Sequence, residues 1–137
     1  MDFVILAGLV VFCMVMSIRA IFTPIEAGTH KISVSHFFWL LCLYGTICIG
    51  FSLLYLLFEL KDVNVILDHG IRIGGGFVNK FETSLYFSAM TMFSVGYGEL
   101  IPIGAGRFIA TVQAFLGYTL PAAFFVRTVI DIEHIQK

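Results

Sequence analysis

The six residues Ser94-Val95-Gly96-Tyr97-Gly98-Glu99 hold two glycines two positions apart and little side-chain chemistry. Glycine visits backbone conformations at φ > 0 that other residues avoid. Gly96 and Gly98 therefore let successive carbonyls point toward one axis, where an ordinary strand would alternate them. Such a segment, repeated four times around that axis, makes stacked rings of oxygens that replace the water around a dehydrated K⁺. The ligands would be the carbonyls of Ser94, Val95, Gly96 and Tyr97 with the Ser94 hydroxyl, and Gly98 would permit the turn at the outer mouth. Val95 and Tyr97 would send their side chains into the protein, the tyrosine ring acting as a strut. The bland alternative is an incidental turn between helices, which gives no reason for this order of residues.

The segments that position this motif are apolar. Hydrophobic residues make up 59% of the 137, charged residues 12%, and the mean hydropathy is +0.98. Soluble domains run at roughly 45–50% apolar and about 25% charged. Phe37–Phe58 has no charged residue and the roughly 20-residue length that crosses a bilayer core. Phe108–Val126 is likewise uncharged, with Gln113 its most polar member. Phe3–Ile18 extends to about Phe22 if Arg19 snorkels to the interface. A signal peptide or an interfacial helix competes for this first segment, but Asp2 stands where a positive region belongs and no clear small-residue cleavage site follows.

Between the last two spans the character changes. Glu59–Lys80 mixes charges, Asn64, Asp68 and the triplet Gly74-Gly75-Gly76, and reads as a solvated loop. Phe81–Phe93 is apolar but too short to span, with Glu82 or Thr83 as its expected start. A short helix followed by irregular backbone at membrane depth is tolerated only where protein encloses it, so residues 81–99 are expected to re-enter the membrane. The sequence shows one such segment and no internal repeat, so a ring requires four chains. Charge does not orient the chain: with the glycine loop outside, Arg19, Lys31, Arg127 and Lys137 inside balance Lys61, Arg72, Lys80 and Arg107 outside.

From Phe37 to Arg127, about two-thirds of the chain, the residues resemble the potassium-channel pore family, in particular its small prokaryotic members with one pore module per subunit. The family's filter, Thr-Val-Gly-Tyr-Gly-Asp, stands here as Ser94-Val95-Gly96-Tyr97-Gly98-Glu99. Tyr86-Phe87 occupies the place of the family's aromatic pair bracing the filter, and Thr91 matches a pore-helix threonine. Pro102 and Gly106-Arg107 fit the connection into the inner helix. Gly117 resembles the hinge glycine, and Pro121 would add a kink. The resemblance implies an all-α membrane protein and homotetramer: outer helix 37–58, turret 59–80, pore helix and filter 81–99, and inner helix 104–127. An N-terminal transmembrane helix, 1–22, is additional; 23–36 and 128–137 would be a cytoplasmic loop and tail. The implied activity is passive K⁺ flow in a prokaryotic plasma membrane, with no cofactor, K⁺ being the permeant ion.

Other residues leave two readings open. Gly117 is a hinge or a close-packing site. Phe115, Phe124 and Phe125 narrow the inner pore or face lipid, and Gln113 lines the cavity. His30, His36 and His134, with Glu26 and Glu133, form a proton-sensing cluster or an ordinary solvated surface. Trp39 marks the membrane interface. Cys13, Cys42 and Cys48 lie in apolar runs without metal-ligand spacing. No arginine-rich sensor helix is present, and residues 128–137 leave no room for a regulatory domain, so a bare pore is expected. No nucleophile–base pair or paired carboxylates point to an enzyme, and the charge balance gives no hint of nucleic-acid binding. A weakly selective cation channel and a non-conducting accessory subunit are the competing functions.

The departures from the family motif generate a test. Ser94 keeps a hydroxyl but lacks the methyl that stiffens threonine. Phe93 stands in place of a small hydroxyl residue, Glu99 in place of aspartate, and Met90 where some relatives carry glutamate. Phe93→Thr combined with Glu99→Asp is expected to change inactivation while K⁺ selectivity stays. Current decay in planar bilayers checks this, and an unaltered time course contradicts it.

Overall fold

The computed structural model describes residues 2–22 and 34–135. Four helices, α1 (Asp2–Phe22), α2 (Val34–Leu60), α3 (Phe77–Met92) and α4 (Ala105–Ile135), are joined by three short strands. The strands are β1 (Ile66–Asp68), β2 (Ile71–Arg72) and β3 (Leu100–Pro102). Among the described residues, Leu40–Leu60 of α2 is long and apolar enough to cross a membrane, with a mean hydropathy of 2.1. α1 lies against α2, contributing Val10 and Ala7 to a core built mainly from α2, α3 and α4.

α2 and α3 approach closely where their facing residues, Cys48, Ser52, Ser84 and Ser88, are small. Tyr44, Cys48 and Ser52 recur every four residues on α2, and Ser84, Ser88 and Met92 do so on α3. The Ser88 hydroxyl donates to the Cys48 carbonyl at 2.7 Å, and the Tyr44 hydroxyl reaches the Met92 carbonyl at 2.8 Å. This antiparallel register sets Ser52 opposite Ser84, and both hydroxyls are buried without a partner. Small residues at helical spacing serve the same purpose in membrane interiors generally.

Gln113 of α4 closes the seam. Its Nε2 donates to the Ser88 carbonyl at 2.9 Å and to the Ser88 hydroxyl at 2.7 Å. Its Oε1 accepts the Tyr55 hydroxyl at 2.9 Å, and the Tyr55 ring meets Phe87 edge-on at 5.0 Å. The expectation that Gln113 lines a cavity is therefore corrected: it is fully buried within the single chain. A primary amide buried away from water needs donors and acceptors on both ends, and three helices supply them.

The loop 59–80 is also not simply solvated, and the fold is not purely helical. Val65 and Ile66 are completely buried, and β1 pairs antiparallel with β2 and with β3, Asp68 opposite Leu100 and Leu67 opposite Ile101. His69 and Gly70 both have positive φ, the geometry of the two-residue turn that suits a hairpin. The buried Glu59 carboxylate accepts the backbone N–H groups of Val65 at 2.8 Å and Ile66 at 3.1 Å. Such acceptors are what a strand entering a core requires.

Element ends also differ from expectation. α2 runs from Val34, and α3 begins at Phe77 after an extended Gly76 with no side-chain cap, five or six residues before the start expected at Glu82 or Thr83. Phe77 and Phe81 stack at 6.4 Å on its first turns, and Lys80 donates to the Glu59 carbonyl at 2.8 Å, drawing the glycine-rich segment into the fold. α4 continues to Ile135, so the expected tail from 128 is helical. His30 and Glu26 lie outside the described residues. His36, Trp39, Glu133 and His134 lie on helices, where only their backbone is described.

Gln113→Leu is expected to lower the thermal midpoint of unfolding in detergent. It strips partners from Tyr55 and Ser88 at a cost of about 1–3 kcal/mol. Thr111→Val, at an exposed position of α4, is the comparison and is expected to move the midpoint far less.

Candidate functional site

The loop that carries the glycine motif starts where α3 stops. Val95 N–H donates to the Met90 carbonyl at 2.9 Å and Ser94 N–H to the Thr91 carbonyl at 3.1 Å. With Ser94 at φ 56°, this is the paired-bond cap that commonly ends helices on a left-handed residue. Glycine usually takes that position. A serine there stores about 1–2 kcal/mol of backbone strain.

From Ser94 onward the hand of the backbone alternates. φ is positive at Ser94, Gly96 (56°) and Gly98 (85°), and not at Val95 or Tyr97. Alternating left- and right-handed residues gather N–H groups on one side of the chain; the carbonyls are left to the other. The glycines thus meet a real conformational demand, and Ser94 shares it.

The surroundings brace the loop on one side only. Tyr86, Phe87, Met90 and Thr91 of α3 face Gly96–Leu100 across a narrow cavity of about 40 Å³. The Tyr86 phenol interacts with the Glu99 carboxylate over this gap. Beyond the loop, the His69 N–H donates to the Glu99 carbonyl at 2.9 Å, fastening the hairpin to its exit. On the other side the loop is open within one chain: Phe93, Val95 and Tyr97 are 60%, 53% and 75% exposed.

The inner-helix candidates sit close by. Gly117 is buried, and a β-carbon built on it would lie 2.3 Å from the Met92 carbonyl oxygen. It is a close-approach site between α4 and the end of α3. α4 runs unbroken through Pro121. Phe115 and Phe125 are exposed in the single chain, while the side chain of Phe124 lies outside the described set. Gly106 plays a related part at the other end of α4, where a β-carbon would come within 2.2 Å of the Val65 carbonyl oxygen. No group of three metal-binding side chains occurs among the described residues.

Sequence reasoning missed Tyr44, whose hydroxyl reaches the carbonyls of Met92 at 2.8 Å and Gly117 at 2.6 Å while its ring lies 5.4 Å from that of Phe93. A phenol hydroxyl in the middle of the uncharged run 37–58, which Tyr44 shares only with Tyr55, was the available signal. It missed His69 and Glu59 as well, because their roles depend on strands too short to show a pattern.

A helical membrane segment, a short helix ending in a loop of alternating handedness, and a long following helix define an ion-channel pore module. The protein-family model described as "Ion channel" matches residues 39–133, and the chain belongs to that family. It is 37% identical over 131 residues to Protein LctB of Geobacillus stearothermophilus, covering 96% of this chain and 97% of that protein. It is 35% identical over 134 residues to Protein LctB of Bacillus caldotenax, covering 98% and 99%. No solved structure matches. The resemblance to small prokaryotic channels of the potassium type is thereby supported, and membership makes this a membrane protein of bacterial kinship.

Gly96→Ala is expected to cost about 1–2 kcal/mol, since the new β-carbon must sit in a left-handed backbone. Open space around it offers no steric objection, so the loss reports conformation alone. Unfolding in detergent measures it, and an unchanged midpoint contradicts the alternating geometry.

Proposed function

We propose that four copies of this chain assemble around the Ser94–Tyr97 loop as a potassium-selective channel. The observation that carries this reading is the alternation of backbone hand at residues 94, 96 and 98. On this reading the carbonyls of Ser94, Val95, Gly96 and Tyr97 turn to a common side, and four such sides form oxygen rings that substitute for the hydration of K⁺. The Ser94 hydroxyl completes the innermost ring. Ions move passively down their gradient, repulsion between neighbours helping each to leave.

In this assembly α2 is the outer helix, α3 the pore helix, and α4 the inner helix. α1 is an additional membrane helix packed outside the pore. Neighbouring subunits cover Phe93, Val95 and Tyr97, which one chain leaves exposed. The C-terminal end of α3 carries partial negative charge and favours a cation beneath the filter. Tyr86, Phe87, Thr91, Phe93, Gly98 and Glu99 support the loop, and Gly117 with Pro121 is the place where α4 bends. Ion-channel membership speaks for conduction and against catalysis. No cofactor takes part, and the plasma membrane is the site of action.

Purified protein in a planar bilayer, with K⁺ on one side and Na⁺ on the other, tests the reading. Reversal near the K⁺ equilibrium potential is expected, together with a detergent-stable mass of four chains. Robust current reversing near zero indicates a weakly selective cation pore, and a monomer without current indicates an accessory subunit. Either result overturns the proposal.

A further inference from the structure

Pro121 lacks the N–H that an α-helix would direct at the carbonyl four residues earlier, and that carbonyl belongs to Gly117. The missing bond is replaced from another helix. The Tyr44 hydroxyl of α2 lies 2.6 Å from the Gly117 oxygen. The same hydroxyl lies 2.8 Å from the carbonyl of Met92, the last residue of α3. Tyr44 has one proton to offer two acceptors, so each carbonyl competes for it.

The geometry around this joint leaves little slack. Gly117 has no side chain, and a β-carbon there would meet the Met92 oxygen at 2.3 Å. The absence of a side chain is what lets the freed carbonyl of α4 reach the end of α3. The Tyr44 ring lies against that of Phe93, the cap residue of α3, which immediately precedes Ser94. A change in the bend of α4 at Pro121 moves the Gly117 oxygen and redistributes the shared proton. The Met92 carbonyl, two residues before the first proposed K⁺ ligand, senses the difference.

Resting on the reading of residues 94–97 as a K⁺ filter, we infer that Tyr44 is a positioning residue that couples the bend of α4 at Gly117–Pro121 to the base of the filter. It touches no ion. Its hydroxyl stands in for the helix bond that Pro121 removes, and by sharing its proton with Met92 it adds a hydrogen-bonded link between the end of α3 and this point of α4 to the packing the two helices already make.

A double-mutant cycle of Tyr44→Phe and Pro121→Ala tests this in the full-length assembled protein. Pro121→Ala restores the N–H that Gly117 lacks, which makes the Tyr44 hydroxyl largely redundant there. Single-channel recording is expected to show Tyr44→Phe shifting open probability about fivefold, the factor set by one hydrogen bond of ordinary net strength. In the Pro121→Ala background the shift is expected to fall to about twofold or less, the Met92 carbonyl alone still losing its donor. The four thermal unfolding midpoints should show the same non-additivity. Equal shifts in both backgrounds overturn the coupling. Coupled midpoints with open probability unmoved reduce Tyr44 to a structural contact and overturn it too. Absence of K⁺ current from the unaltered chain removes the channel reading and the inference with it, and is recognised before any substitution is made.

Discussion

A peptide group that leaves a helix inside a membrane must find its hydrogen bond in protein, because the surrounding hydrocarbon offers none. In the proposed assembly that constraint falls hardest on the residues after Met92, and the chain meets it by degrees. The first N–H groups beyond α3 turn back onto Met90 and Thr91. The Met92 carbonyl finds Tyr44. The last residue of the motif, Glu99, is held by the hairpin through the His69 N–H. Between these fixed ends lie the carbonyls that the proposed filter would use.

The constraint explains why polar residues are spent so carefully elsewhere. Ser88, Gln113 and Tyr55 form a buried network spanning α2, α3 and α4, with each end of the amide occupied. A partly satisfied network at this depth would be worse than an apolar one. Because the network is closed, it specifies one rotation of each helix about its axis. The small residues of the α2–α3 seam then let the backbones come close enough for the bonds to form. Helix rotation, helix spacing and the point where α3 ends are thus consequences of a handful of short side chains.

Much of this was legible in the sequence, for identifiable reasons. The uncharged run 37–58 has a length fixed by the bilayer, and Gly96 and Gly98 mark backbone that other residues avoid, so α2 and the loop stood out. The strands did not, since two or three residues carry no period, and Val65 and Ile66 looked like loop residues among charges. The early start of α3 was hidden behind Gly74–Gly76. Gln113 was misplaced because polarity in an apolar helix suggests a wet cavity until a buried tyrosine and serine are known to face it. Tyr44 needed the approach of α2 to the Gly117 carbonyl that Pro121 leaves free, a contact across helices that no local pattern reveals.

The pairing of β1 with β3 joins Asp68 to Leu100 and encloses the whole of α3 and the motif in one loop of chain. Closure of a long loop costs entropy that grows only slowly with length, but it cannot occur until its second strand exists. The β1–β3 pairing that encloses α3 therefore cannot form before Pro102 has been synthesised. Until then the aromatic residues 77–97 are an unclosed, apolar segment in search of cover. A sheet of three strands thus imposes one order: α2 is made first, and the segment that holds α3 is fastened by the strand that follows it.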